Sequence, residues 1–247
     1  MKISIITVCY NSAKTIAATI LSVAEQSFEK VEYIIVDGGS TDETLDIIKS
    51  NEANITKWIS EKDEGLYDAM NKGIKMASGE IIGILNSDDI FASNDVLRQV
   101  SDFHSANEID ASIGSIVQRN AKGRVIRKYD SKSWTPKKLA IGSMPPHPSI
   151  FFKKEVFEKH GYYSLDFVSG ADYEFITRVF LKNKISYKYA PILTTSMAIG
   201  GISSSGLKSY LLISKEIKSA LEKNAIDFSK LKVDLRVLWK IFGYLKL

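Results

Sequence analysis

The most constraining feature of the sequence is an alternation of short apolar runs with segments of helical periodicity over its first hundred residues. Four near-continuous apolar runs, rich in β-branched residues, read as strands: residues 2–9, 31–37, 54–60 and 80–85. Segments with helical patterns lie between them, and the second of these helices is predicted to open at a capping box of Ser40 and Glu43. Buried strands separated by helices are typical of a parallel sheet covered on both faces. The sequence therefore predicts an α/β fold, a doubly wound and mostly parallel sheet flanked by helices.

After residue 105 this alternation stops. Two short strand patterns at 110–118 and 124–129 enclose a Gly-containing turn and predict a hairpin. Helices are predicted at 154–160, at 171–182 and from Lys208 onwards, and no internal repeat or linker interrupts the chain. We therefore expect one domain over residues 1–205, with halves at 1–105 and 106–205, followed by a helical C-terminal tail at 206–247.

Composition limits the class of protein and its partners. The chain has 247 residues, of which 45% are apolar, and this share excludes a disordered tail, a coiled coil or a collagen-like fibre. A single cysteine, Cys9, excludes a disulfide framework and fits a reducing compartment. A net charge of +4 is well short of a nucleic-acid footprint, and no apolar run is long enough to span a membrane. We expect a cytoplasmic protein with no nucleic-acid partner.

Polar residues follow each of the four predicted strands. They are Tyr10 and Asn11, then Asp37, then Asp63 and Glu64, then Asn86, Asp88 and Asp89. Ligands of open α/β sheets bind beyond the carboxyl ends of the strands, so these residues are predicted to share one site. Adjacent carboxylates repel each other unless a cation lies between them, and Mn²⁺ or Mg²⁺ suits carboxylates combined with substrate phosphates. The alternative is that Asp88 and Asp89 only cap the next helix.

The familiar phosphate-binding loops are absent from the sequence. No G-x-G-x-x-G occurs, and residues 201–206 lack the Gly-Lys pair of a P-loop, which argues against a dinucleotide dehydrogenase and a P-loop NTPase. Without such a loop, bound phosphates would have to be neutralised by a metal ion. This indicates a nucleotide diphosphate as the ligand, since a metal can stabilise the charge of that leaving group. Two alternatives stay open: a nucleotidyltransferase, and a non-enzymatic binding module with an acidic pocket.

Five ordered motifs carry a resemblance to a known family. They are ITVCYN at 6–11, VDGGSTDET at 36–44, DEGLYDAMNKGI at 63–74, GEIIGILNSDD at 79–89 and SGADYEF at 169–175. Together they resemble the family 2 glycosyltransferases of the GT-A fold, which are inverting and depend on a nucleotide-diphosphate sugar. The resemblance implies a metal-dependent hexosyltransferase that moves a sugar, from a UDP-sugar, to a hydroxyl of a saccharide or lipid-linked acceptor in polysaccharide or glycolipid synthesis. Residues 1–105 would bind the donor, and residues 106–205 would face the acceptor.

The resemblance also implies roles for individual residues. Thr7 and Tyr10 would line the nucleobase pocket, and Asn11 would be a further residue that binds the nucleotide sugar. Asp37 would lie at the uracil edge or ribose, and Asp68, Asn71 and Lys72 near the diphosphate and donor sugar. Asp88 and Asp89, one or both, would ligate the metal, and Asp172 would be the catalytic base, with Glu174 and His147 on the acceptor side. Two positions depart from the family pattern, because Asn86 and Ala171 stand where carboxylates are usual. For His147 an ordinary surface-loop histidine is the alternative.

The end of the chain mixes aromatic and aliphatic residues with lysine and arginine. Over residues 230–247 this composition suits a helix lying in a membrane interface, where the enzyme would meet a lipid-linked acceptor on the inner face of the cytoplasmic membrane. The alternative is a helix that packs on its own domain or on a second subunit. The oligomeric state stays open.

Overall fold

The computed structural model describes residues 1–120, 122–198 and 206–236. Its strands are β1 (Ile3–Cys9), β2 (Val31–Asp37), β3 (Lys57–Ser60), β4 (Ile81–Ile84), β5 (Ile90–Phe91), β6 (Ala111–Arg119), β7 (Val125–Tyr129), β8 (Ile150–Lys153) and β9 (Tyr187–Ala198). Its helices are α1 (Ile16–Ala24), α2 (Thr44–Ser50), α3 (Leu66–Met76), α4 (Val96–Ala106), α5 (Lys154–His160), α6 (Ala171–Ile176), α7 (Gly206–Lys223) and α8 (Lys230–Asp234). A π-helical segment, Thr177–Lys182, continues α6.

The described strands form one sheet in the order β3-β2-β1-β4-β8-β6-β9-β5, with β7 paired to β6. The first four strands of this order are parallel, so their carboxyl ends lie on one edge. β8 runs antiparallel to β4 and β6, and β6 pairs parallel with β9. The predicted α/β sheet flanked by helices is confirmed, and so are the four strands of the first half and the β6–β7 hairpin. The sequence did not reveal β5, β8 or β9, which complete the sheet.

Both faces of the parallel part are covered, and this explains why its strands are almost continuously apolar. Along β1, Ile6 and Val8 pack on one side of the sheet with α3, while Ile3 and Ile5 face the other side with α1. Helix α3 lies very close to β1, because a Cβ atom added at Gly73 would be 2.4 Å from Ile6 Cγ2. Close packing of this helix fixes the loop that precedes it at the sheet edge.

The predicted capping box at the start of α2 is wrong. Ser40 Oγ donates to the buried carboxylate of Asp37 instead of capping a helix, and α2 begins only at Thr44. The backbone N–H of Thr44 is satisfied by Asp42 Oδ1 at 3.0 Å. Leaving a buried carboxylate without a hydrogen-bond donor costs more free energy than leaving an exposed helix end uncapped. The hydroxyl of Ser40 therefore bonds Asp37.

The described part of the C-terminal tail packs on the domain. Ile217, Leu221 and Val233 belong to the same core as α6, and Arg236 is buried with its guanidinium bonded to Ser214 Oγ at 2.8 Å. Residues 237–247, which hold most of the segment predicted to meet a membrane, lie outside the described residues. Within residues 1–120, 122–198 and 206–236, no helix is long and apolar enough to cross a membrane.

Candidate active site

Hydrogen bonds join the loops that follow the four parallel strands. Neighbouring strands β1 and β4 mark the point where the strand order reverses, and their loops meet through Ser12 Oγ and Ser87 Oγ at 2.9 Å. The loop after β1 is also bonded to the loop after β2, because Asn11 N donates to Ser40 Oγ at 2.8 Å. Glu61 N, just after β3, donates to the backbone oxygen of Asp37 at 3.0 Å. The structure therefore brings the four polar strand ends together at one edge, as a ligand crevice of this fold requires.

The carboxylate of Asp37 links the loop after β2 to the end of β3 through hydrogen bonds. Its carboxylate is sealed from solvent and accepts hydrogen bonds from Gly39 N at 3.1 Å, Ser40 N at 2.9 Å and Ser60 Oγ at 2.7 Å. Burial alone would raise the pKa of Asp37, but the hydrogen bonds from Ser40 and Ser60 outweigh it and lower the pKa. The carboxylate of Asp37 is thus engaged by donors of the protein, and its contact with a uracil edge or ribose stays a prediction.

Thr7, Tyr10 and Asn11, which are expected to bind the nucleotide sugar, differ in their exposure. Thr7 is fully buried, and its hydroxyl accepts a bond from Tyr33 Oη at 3.1 Å. Its place at the nucleobase stays a prediction. Thr7 lies two positions before the end of β1, on a face covered by packing. Tyr10, which follows the strand, is 62% exposed. Asn11 adopts a φ of 50°, and its side-chain oxygen accepts from Thr41 N at 2.9 Å, which shapes the turn beside Tyr10.

Asp88 and Asp89 form an acidic pair after β4. Asp89 is buried, and Oδ2 accepts a hydrogen bond from Asn86 Nδ2 at 3.0 Å. Burial and the neighbouring charge of Asp88 raise the pKa of Asp89 to about 7, and burial also raises the pKa of the half-exposed Asp88. They do not cap the next helix, because α4 begins at Val96. The amide at position 86, where the family usually has a carboxylate, thus orients Asp89.

The donor set at this pair fits a divalent cation that is shared with a substrate. No cluster of three or more histidine, cysteine or acidic side chains in the described part of the chain could hold a metal by itself. Mg²⁺ and Mn²⁺ are, however, often bound by one or two carboxylates together with substrate phosphates and water. Two carboxylates whose pKa values are raised by burial and, for Asp89, by its neighbour are suited to such an ion, because a cation would relieve the cost of ionising them.

The loop after β3 adds further charges at the start of α3. Asp63 approaches the backbone of the β2 loop so closely that a Cβ at Gly38 would lie 2.3 Å from its Oδ2. Lys72 forms ion pairs with Glu61 at 2.8 Å and Asp68 at 3.2 Å. Asp68 and Lys72, expected near the diphosphate and donor sugar, are therefore partners of each other on one face of α3.

Asn71 does not belong with these charges. Its side-chain nitrogen donates to Tyr163 O at 2.9 Å, and its side-chain oxygen accepts from Tyr163 N at 3.0 Å. The amide is buried, and both its nitrogen and its oxygen bond the backbone of Tyr163. These bonds fix the chain before α6 against α3, and a place of Asn71 near the diphosphate and donor sugar stays a prediction.

Asp172 lies in the second half of the chain, in the first turn of α6. Oδ1 accepts hydrogen bonds from Tyr67 Oη at 3.1 Å and from Tyr173 N at 2.7 Å, and the side chain is half-buried. Tyr67 is in the first turn of α3, directly after the Asp63 loop, so Asp172 contacts the helix that leaves the acidic edge. Sequence reasoning missed Tyr67, although it stands in the DEGLYDAMNKGI motif.

The two other acceptor-side candidates, His147 and Glu174, differ in their surroundings and in their partners. His147 Nε2 lies 2.8 Å from Tyr163 Oη, and burial lowers the pKa of His147 while the charge of Asp172 acts in the opposite direction. This histidine thus belongs to the surroundings of Asp172 and is not a simple surface-loop residue. Glu174 is buried in an ion pair with Arg178 at 2.9 Å and also bonds Asn224, so the structure does not bring it to the site.

Comparison with known proteins gives this arrangement a family. The sequence model of "Glycosyl transferase family 2" matches residues 4–161. A relative from Mycobacterium bovis (strain BCG / Pasteur 1173P2), named PGL/p-HBAD biosynthesis glycosyltransferase, is 31% identical over 205 residues, which cover 81% of this chain and 78% of the relative.

Two groups of solved structures share the fold at lower identity. Staphylococcus aureus TarS 1-349, in complex with UDP-GlcNAc, superposes with a TM-score of 0.71 and 20% identity, covering 96% of this chain and 72% of that one. The mannosyltransferase PcManGT from Pyrobaculum calidifontis, in complex with GDP-Man and Mn²⁺, has a TM-score of 0.69 and 18% identity, covering 99% of this chain and 73% of that one. The chain belongs to glycosyltransferase family 2 and has the GT-A fold.

Proposed function

We propose that the protein is an inverting, metal-dependent glycosyltransferase that moves a sugar from a nucleotide-sugar donor to a hydroxyl of a saccharide or lipid-linked acceptor. The observation that supports this best is the hydrogen bond of 3.1 Å between Tyr67 and Asp172, which joins a carboxylate of the second half to the acidic edge of the first. One half then binds the donor, at residues 1–105, and the other presents the acceptor, at 106–205. Family membership weighs against the nucleotidyltransferase and binding-module alternatives.

The donor is a UDP-sugar in this proposal. The exposed ring of Tyr10 is available to stack on a nucleobase beside Asn11. Asp68 and Lys72 lie on α3, which follows the charged loop after β3, and Lys72 can exchange a carboxylate partner for a phosphate oxygen. Asp88 and Asp89 would hold a divalent cation that offsets the charge developing on the diphosphate leaving group. The two solved neighbours named above, one with UDP-GlcNAc and one with GDP-Man and Mn²⁺, are consistent with this assignment.

Asp172 is the general base of the proposed reaction. Inverting transfer is a single in-line displacement, in which the acceptor oxygen bonds to the anomeric carbon as the bond to the diphosphate oxygen breaks. The acceptor hydroxyl must lose its proton, and Asp172 receives it. A second carboxylate acting as nucleophile, as in a retaining glycosidase, is not required. The enclosure of Glu174 in its ion pair leaves Asp172 as the carboxylate of α6 suited to this step.

The acceptor side includes His147 and, for a lipid-linked acceptor, contact with a membrane surface on the cytoplasmic side. Leu231 and Leu235 of the α8 region are 66% and 42% exposed beside a series of lysines, which suits an interfacial position. The M. bovis relative is named for PGL/p-HBAD biosynthesis, and the proposal places this chain in glycolipid or cell-surface polysaccharide synthesis by analogy. Flotation with anionic liposomes tests the contact: the full chain should float, and a chain ending at Arg236 should float less. Equal flotation of both would exclude residues 237–247 as the anchor.

The variant Asp172→Asn tests the proposed base. We expect transfer to fall at least about 1000-fold, because general-base catalysis is lost, while binding of the nucleotide sugar stays within about twofold. Thermal stabilisation by a panel of nucleotide sugars with Mn²⁺ measures binding and also identifies the donor. Asp166→Asn is the matched control, since Asp166 is an exposed carboxylate six residues earlier that pairs with Lys223. Near-normal turnover of Asp172→Asn, or no stabilisation by any nucleotide sugar, would contradict the proposal.

A further inference from the structure

We infer that Tyr67 is a positioning residue for the reaction, which orients Asp172 so that one defined carboxylate oxygen faces the acceptor. The inference rests on the proposed function of Asp172 and adds a residue and an atom to it. Tyr67 Oη donates to Oδ1 at 3.1 Å, and Tyr173 N donates to the same oxygen at 2.7 Å. Among the described residues, no hydrogen bond reaches Oδ2. Oδ1 is thus the anchored oxygen, and Oδ2 is the one left to accept a proton.

The ring of Tyr67 is itself held in place. It packs against the ring of Tyr163 with 5.7 Å between centroids, and only 5% of Tyr67 is exposed. The backbone of Tyr163 is fixed by both side-chain atoms of Asn71, and its hydroxyl lies 2.8 Å from His147 Nε2. A tyrosine enclosed in this way cannot turn its hydroxyl elsewhere without breaking several contacts. The position of the Tyr67 hydroxyl at Asp172 is therefore fixed by these contacts.

Asp172 is the acidic member of a cluster that also contains two tyrosines and a histidine. Burial raises the pKa of Tyr67 and of Tyr163 far above the ordinary tyrosine value, and the charge of Asp172 adds to this, so both remain protonated donors. Burial lowers the pKa of His147, while the charge of Asp172 acts in the opposite direction. The remaining charges nearby are engaged: Glu216 of α7 accepts from Val168 N and Ser169 N, and Arg178 is paired with Glu174. Among these groups, Tyr67 is therefore the side chain that donates to Asp172.

The variant Tyr67→Phe removes the donor and keeps the ring. We expect kcat to fall about 10- to 100-fold, because a hydrogen bond to a charged group is lost, while the KM for the donor changes by less than about threefold. The matched control is Tyr33→Phe, another buried tyrosine, whose hydroxyl bonds Thr7 on β1 at 3.1 Å. It should lower stability without lowering kcat.

A double-mutant cycle on stability decides the contact without any assay of transfer. Unfolding free energies of Tyr67→Phe, Asp172→Ala and the double variant should be non-additive, whereas additive values would overturn the inference. A wild-type kcat in Tyr67→Phe, or a loss confined to the KM for the donor, would overturn it as well. If the wild-type chain transfers no sugar while the cycle shows coupling, the contact stands and the proposed function fails.

Discussion

Buried carboxylates differ in their partners between the two ends of the parallel strands, which we call the amino edge and the carboxyl edge of the sheet. At the amino edge, Glu32 is 1% exposed and is neutralised by the protein: Ser4 Oγ and Ser78 N donate at 2.6 Å, and Lys57 Nζ lies at 2.9 Å. At the carboxyl edge, none of the ion pairs within the described ranges reaches Asp88 or Asp89, while Asp37 is held by hydrogen bonds from Ser40 and Ser60. Glu32 and Asp37 are thus satisfied by the protein, whereas the Asp88–Asp89 pair has no cationic side-chain partner among the described residues.

The pKa directions express the same difference. Burial would raise the pKa of Glu32, but hydrogen bonds from Ser4, Ser78 and Lys57 outweigh it and hold the pKa well below the ordinary value. For Asp89, burial and the charge of Asp88 act together and raise the pKa to about 7. A structural carboxylate such as Glu32 is thus surrounded by hydrogen-bond donors. The Asp88–Asp89 pair, in contrast, has no lysine or arginine partner among the described residues.

The largest effect should come from the carboxyl edge. Asp88→Asn is expected to lower transfer more than about 100-fold, because the cation that stabilises the leaving group loses a ligand. The unfolding free energy of the free protein should not fall, since removing one charge relieves repulsion at Asp89. Asp95→Asn, an exposed aspartate of the same loop region bonded to Ser27 Oγ, serves as the control in a transfer assay and a urea titration. Full activity of Asp88→Asn would break the contrast between the edges.

The opposite result is expected at the amino edge. Glu32→Gln should lower the unfolding free energy by about 2 kcal/mol, because a buried ion pair loses one partner, while turnover per folded molecule stays unchanged. Urea titration and a transfer assay measure the two quantities. Glu80→Gln, which removes a carboxylate that is 66% exposed at the same edge, should change stability by less than about 0.5 kcal/mol. A loss of activity in Glu32→Gln would show that the amino edge is not purely structural.

A smaller effect is expected at Tyr10. Tyr10→Ala should weaken UDP binding about tenfold, which is within the range for base stacking on an aromatic ring, and should leave stability almost unchanged because the side chain is exposed. Tyr10→Phe keeps the ring and should bind like wild type. Calorimetric titration with UDP measures both variants, and equal affinity of the alanine variant would remove Tyr10 from the donor site.

The smallest effect concerns acid stability. The folded pKa of Glu32 lies below its ordinary value of 4.5, so its stabilisation is fully present above pH 4.5 and is lost as the pH falls towards the folded pKa. Between pH 5.5 and 3.5 wild type should lose about 1 kcal/mol more stability than Glu32→Gln. Urea titrations at these two pH values measure the difference. Parallel pH dependences would show that Glu32 is not held ionised.

The sequence predicted the parallel half of the fold well, and local residues explain why. Strands β1, β2 and β4 are buried on both faces and are therefore apolar along their length. β8 and β9 belong to the mixed half, where the polar residues Lys188, Thr194 and Ser196 interrupt the apolar pattern of β9. Those strands are specified by their partners in the sheet more than by a local period.

The candidate site was predictable at the strand ends and less so elsewhere. The place of Asp88 and Asp89 after β4 follows from the end of an apolar run, whereas the full burial of Thr7 does not, because the face and depth of a side chain depend on its position along the strand. Asn71 stands among candidate site residues in its motif, but its partner, Tyr163, is 92 residues away. Tyr67 and Asp172 are 105 residues apart, and only the folded chain shows which pairs meet.

Calorimetric titration of the wild-type protein with UDP, in the presence and absence of Mn²⁺, tests the central claim most directly. That claim is that the acidic carboxyl edge is completed by a cation and a nucleoside diphosphate. We expect UDP to bind at least about tenfold more tightly with Mn²⁺ than with EDTA, because a cation held by Asp88 and Asp89 would also attract the phosphates. Equal affinity under the two conditions, or no binding in either, would contradict the account.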